Sequence, residues 1–196
     1  MRRFDGNDTG QAFPIYITVV GGLLFLALAY FAVGQASANR NGAQTAADSA
    51  ALAAAQDTRD QLAAMWVDEV RDPSKWEAIF DGDVPGLQPS CSRAQQLASL
   101  NDARVLSCAP QGLLAFTVEV ETNKSVGDSI VPGTEDKKSK AAATAVIEPL
   151  CEPPVINADE ESLPRLACED ALWDLDPEDL DDLPTADELF EVHLAD

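Results

Sequence analysis

Four cysteines and a single histidine are the residues of this 196-residue chain best suited to chemistry. Zinc held by cysteine calls for closely spaced ligand pairs of the C-x₂₋₄-C kind. Cys91, Cys108, Cys151 and Cys168 form no such pair, and His193 stands alone in an acidic stretch. A nucleophilic thiol or hydroxyl needs a base at its side, and one distant histidine supplies none. Asp174, Asp176 and Glu178 alternate as in a calcium loop, but the central glycine and terminal bidentate glutamate of an EF-hand are missing. The residues thus assign no catalytic group, no metal ligand and no cofactor, and they point away from an enzyme. The chemistry that remains is covalent stapling. An even number of cysteines is the mark of a disulfide framework in an oxidising compartment. Cys91 to Cys108 and Cys151 to Cys168 are each separated by 17 positions, which favours sequential pairing. Each such loop would contribute about 3 kcal/mol by restricting the unfolded chain. The alternative, 108–151 with 91–168, stays open if the strands that precede Cys151 form a hairpin.

The elements that carry the cysteines follow from charge and periodicity. The formal net charge is −21, and residues 157–196 hold fifteen Asp or Glu against Arg165 alone. So negative a surface does not replace the counterions of a phosphate backbone, which excludes nucleic acid as a partner. Nothing in the pattern suggests a small-molecule substrate. The acidic stretch reads as a largely disordered tail, with apolar residues interleaved so that it can dock on a partner. Within it, residues 187–193 fit a short amphipathic helix.

Residues 10–39 carry no charged side chain. Their apolar centre, residues 13–33, has the roughly 20-residue length that crosses a bilayer as a helix. Tyr16 and Tyr30 sit near its ends, where aromatic rings suit the headgroup zone. Arg2 and Arg3 precede the run and only Arg40 closely follows it, so the positive-inside rule puts the N-terminus in the cytoplasm. Ala36-Ser37-Ala38 also fits a signal-peptide cleavage pattern, which leaves a released protein as the alternative. The small residues Gly21, Gly22 and Ala27 would let another helix approach closely in lipid.

Residues 37–71 are rich in helix formers, with no proline before Pro73. Ala43, Ala47, Ala50 and Ala54 fall on one face, smooth enough for close packing either on a partner helix or on the protein's own domain. Beyond a breaker-rich loop with one helical turn near residues 76–80, residues 92–103 read as a second helix. Phe116, Val118 and Val120 alternate with polar neighbours, which is the period of a half-buried strand. Residues 142–149 are its antiparallel partner, across a polar connection at 123–140. The fold expected is α+β: a cytoplasmic leader at 1–12, a transmembrane helix at 13–37, an Ala-rich helix at 38–71, a small stapled domain with a two-stranded or larger antiparallel sheet at 72–156, and the tail.

The block GQAFPIYITVVGGLLFLALAYFAVGQASANRNGAQTAADSAALAAAQ resembles the N-terminal segment of TadG-like proteins of Tad/Flp pilus assembly, of the actinobacterial type. It shares Gly10-Gln11 before the span, the apolar helix, and Ala46-Ala47-Asp48-Ser49-Ala50-Ala51-Leu52-Ala53 after it. The resemblance implies an assembly or pilin-like component whose partners are membrane lipid and other pilus-assembly or pilin-like proteins. A processed pilin of this class would have glutamate five residues after the cleaved glycine; Ile15 stands there after Gly10, which favours a chain that keeps its leader. The metal-binding D-x-S-x-S motif that longer relatives can carry is missing. An envelope binding module working through the acidic tail is the other reading.

Overall fold

The longest stretch without an internal helix breaker becomes the longest element. Helix α1 runs unbroken for 57 residues, Ala12–Asp68, a length of about 85 Å. The structure is a computed structural model that describes residues 12–125, 136–154, 163–176 and 183–195. Residues 1–11 of the leader, most of the polar connection at 123–140, and Glu178 lie outside the described residues. Pro14 is tolerated because it falls in the first turn, where amide donors have no intrahelical partner anyway. The helix stops ahead of Pro73, and Asp72 has left the helical region, at φ −123° and ψ 80°, as the clash with a following proline ring requires. The helix continues through Asn41-Gly42 without a break.

A 3-10 turn, Pro73–Lys75, leads into the short helix α2, Trp76–Phe80. Gly82 closes α2 at φ +71°. Its amide donates to Ile79 O at 3.0 Å, and the Asp83 amide donates to Ala78 O at 2.8 Å, the paired bonds of a Schellman cap. A Cβ at this position would sit 2.7 Å from Leu114 Cδ2. Gly82→Ala should therefore cost about 1–3 kcal/mol through backbone strain, with the Leu114 contact adding to it. The effect would be read as a fall in the urea midpoint of the purified protein.

Helix α3 spans Cys91–Leu100. Strands β1 (Ala103–Pro110), β2 (Ala115–Thr122) and β3 (Lys140–Pro149) follow as an antiparallel meander. The chain then makes a second, three-stranded sheet of short segments: β4 (Cys151–Glu152), β5 (Leu166–Cys168) and β6 (Leu172–Trp173). It returns through α4 (Ala186–Leu189) to β7 (Phe190–Leu194), which pairs antiparallel with β3 and completes the order β1-β2-β3-β7.

The tail thus contributes two strands to the small sheet and an edge strand to the main one. Residues 187–193 are not one helix. Glu188 caps a single turn by accepting from the Thr185 amide and hydroxyl, both at 2.7 Å, and the chain becomes extended at Phe190. The physical reason is burial: Leu189 and Phe190 are both fully inside the core, and Phe190 meets Phe80 at 5.5 Å between ring centroids. A helix continued to residue 193 could not also pair Glu191 and His193 with β3.

Both disulfides are the sequential ones, Cys91–Cys108 and Cys151–Cys168. The first ties the start of α3 to β1. The second joins directly opposed residues of β4 and β5, which fastens the small sheet to the end of β3. The hairpin that would have favoured 108–151 does form, but β5 occupies the place beside Cys151.

Candidate membrane anchor and assembly surface

The two halves of α1 have opposite surroundings. Thirteen large apolar side chains between Phe13 and Val33 are 52–84 % exposed. None of the most apolar stretch is buried against the rest of the protein. By length and composition α1 is able to cross a membrane. An apolar surface of this size on a soluble domain marks an interaction site. The polar hydroxyl of Thr18 is satisfied within the helix, donating to Pro14 O at 3.0 Å and Ile15 O at 2.8 Å, the arrangement that suits a hydroxyl in hydrocarbon. Gly21, Gly22 and Ala27 lie on this bare rod, and a Cβ at either glycine would meet nothing within 4 Å.

The rod joins the folded part of the protein at Asn39. Its side-chain amide donates to Lys124 O at 3.3 Å and to Ser125 O at 3.2 Å, and its carbonyl accepts from the Thr122 hydroxyl at 3.3 Å. Those partners sit at the end of β2, so the loop end of the β2–β3 hairpin grips the helix at that level.

Beyond Asn39 the helix is the spine of the core. Ala43, Ala47, Ala50 and Ala54 are completely buried, and Ala46, Ala51 and Ala55 join them. They meet the inner face of the sheet, formed by Phe116, Val118 and Val120 of β2, Ala145 and Ile147 of β3, and Phe190 of β7. On the flank, Ala94 and Ala98 of α3 are fully buried against the same helix. Alanine is what lets α1, α3 and the sheet approach together without voids. The four alanines of the face are therefore occupied within this chain. Polar bonds fix the axial register: Thr58 Oγ1 lies 2.7 Å from Ser90 Oγ in a buried pair, and Asn101 Nδ2 donates to Ser49 Oγ at 3.0 Å.

The other face of the sheet is polar. Arg104 donates to Glu121, which holds the Glu121 carboxyl below the usual carboxylate range, with Lys140 adding to the effect. Thr117 and Thr144 hydroxyls meet at 2.8 Å across β2 and β3. Further along, Glu148 of β3 stands directly opposite Glu191 of β7. His193 completes a group of three whose ligand atoms all lie within 4.8 Å of one another. Sequence reasoning did not find this cluster, because its members come from two strands brought together only by the edge pairing. Asp174, of the calcium-like alternation, is engaged instead by Arg165.

The arrangement defines a class: a long apolar helical rod continuous with the core of a small, disulfide-stapled α+β head. Residues 10–57, which include the exposed rod and all four residues of the alanine face, match the family model described as Putative Flp pilus-assembly TadE/G-like. This is the family that the N-terminal block resembles by its residues. No curated protein and no solved structure matches the chain.

Proposed function

We propose that this protein is a membrane-anchored component of a Tad/Flp-type pilus-assembly apparatus, held by the span at 13–33 with its N-terminus cytoplasmic and its head outside the membrane. The observation that carries this reading is the bare apolar half of α1 in a segment whose sequence is TadE/G-like. Three further features agree with it. Arg2 and Arg3 lie on the leader side, both disulfides suit an oxidising exterior, and the Asn39 contacts with the head begin soon after the apolar run ends. Because Ala43, Ala47, Ala50 and Ala54 serve the head's own core, helix contacts with other assembly proteins are left to the exposed rod, where Gly21, Gly22 and Ala27 permit close approach.

The acidic tail contributes to this role as part of the head. Cutting the chain at Asn157 would remove β5, β6 and β7 and leave Cys151 unpaired, so that truncation reports on folding before it reports on binding. A cleaner test is topological. Protease added to wall-stripped cells should digest the head and leave a membrane-protected fragment ending near Arg40. A head that resists digestion until the membrane is permeabilised would overturn the orientation.

A further inference from the structure

We infer that Glu148, Glu191 and His193 form a binding site for a divalent transition-metal cation, with Zn²⁺ the best match, and that the bound ion clips β7 to β3. The case begins with register. Glu148 pairs directly with Glu191, and Val146 pairs with His193. Residues two apart on a strand share a face, so Glu191 and His193 project from the same side of β7, and Glu148 projects beside them from β3. Their ligand atoms lie within 4.8 Å of one another. A tetrahedral zinc shell needs neighbouring ligands about 3.4 Å apart, from bond lengths of about 2.0–2.2 Å. Rotamer changes of solvent-reachable side chains can close that difference, and both glutamates are exposed.

The second strand of the argument is charge. Like charges directly opposite on a sheet destabilise the pairing. Elsewhere on this face the acid at Glu121 is matched by Arg104 and Lys140. Among the described residues, no lysine or arginine makes an ion pair with Glu148 or Glu191. Two carboxylates and an imidazole arranged in this way have the donor set of a cation site. The imidazole selects the metal: nitrogen suits Zn²⁺ and its transition-metal neighbours, whereas Ca²⁺ and Mg²⁺ prefer oxygen alone. Three protein ligands leave one position for water. The inference does not depend on the membrane reading, since β3 and β7 belong to the folded head.

The test is Zn²⁺ titration of the untagged full-length protein in detergent, by calorimetry, alongside hydrogen exchange of residues 190–194. Binding of one Zn²⁺ per chain is expected, with slower exchange in β7. His193→Asn and Glu148→Gln should each weaken binding by more than about tenfold, since even outer-shell changes around a metal cost 10–100-fold. Glu119→Gln removes the same charge from the same sheet face, where Glu119 pairs with Ala142 instead, and should leave the affinity unchanged. All three positions are at the outer face of the sheet, and retained circular dichroism would verify folding. Equal Zn²⁺ affinity in the wild type and both ligand variants would overturn the proposal, as would Ca²⁺ competing at equal concentration.

Discussion

Arginine at both Leu24 and Leu26 should empty the membrane fraction of this protein. The two side chains are 61 % and 63 % exposed near the middle of the apolar run. They project about 200° apart around the helix, so no single polar groove can shelter both. Each arginine at the centre of a spanning helix costs about 2.5–3.5 kcal/mol of insertion free energy, and each leucine lost removes a few tenths more. The pair therefore disfavours insertion by roughly four to six orders of magnitude, at about 1.4 kcal/mol per tenfold. The double alanine variant keeps the run apolar and should stay in the membrane. Quantifying the protein in carbonate-washed membranes separates the outcomes. Wild-type retention of the double arginine variant would mean that this surface is covered by something other than lipid.

The second large effect lies in the head. Trp66→Ala should destabilise it by about 3–5 kcal/mol, a fifth or more of the roughly 5–15 kcal/mol that holds an ordinary domain together. Trp66 is fully buried near the end of α1, its ring 5.4 Å from that of Trp76 and tilted by 53°. Trp76 is itself anchored, its indole N–H donating to Glu69 O at 3.2 Å. Removing Trp66 would leave a cavity bounded by the last turns of α1 and by α2, two elements joined by a tight turn that has little room to collapse. Trp66→Phe is the informative comparison. The Trp66 indole nitrogen is buried with no hydrogen-bond partner among the described residues. Phenylalanine then loses some packing but also relieves an unsatisfied donor, so its cost should fall well below that of alanine. Urea denaturation of the two variants, followed by intrinsic fluorescence of the remaining tryptophans, would establish the order. Equal midpoints for both would contradict a packing role for the ring.

Elements with strong local periodicity were legible in the sequence. The helix expected over residues 13–71 follows from an apolar run and an alanine-rich run with no interior proline after the first turn, and it forms one rod that ends at Asp68. The strand containing Phe116, Val118 and Val120 has clean period-two alternation, and its partner β3 is adjacent in the meander. What escaped were the small sheet, whose strands β5 and β6 fall in the acidic stretch, and the two edges of the main one. Strand β1 is missing from the periodicity because its register shifts between Val105 and Ser107, which breaks the alternation, and because most of its residues are not buried. Strand β7 was invisible for a different reason: its pairing partner lies on the far side of the small sheet, and F-E-V-H-L alone fits a helix or a strand. The Glu148–Glu191–His193 cluster is a product of that same pairing and was hidden with it. The alanine face illustrates the middle case. Its smoothness was readable, but whether it met a partner or the chain's own sheet depended on β2, β3 and α3 all converging on one side of α1.

If the apolar half of α1 spans a bilayer as proposed, the unbroken helix between it and the head has a mechanical consequence. About 50 Å of α1 lies beyond residue 33, at 1.5 Å per residue. Spanning helices tilt by about 20° on average, and a stiff rod of that length converts such a lean into a lateral sweep of about 17 Å at its outer end. Bilayer thickness, by biasing the lean, would then steer where the head points, and a pull on the head would be felt in the lipid as torque.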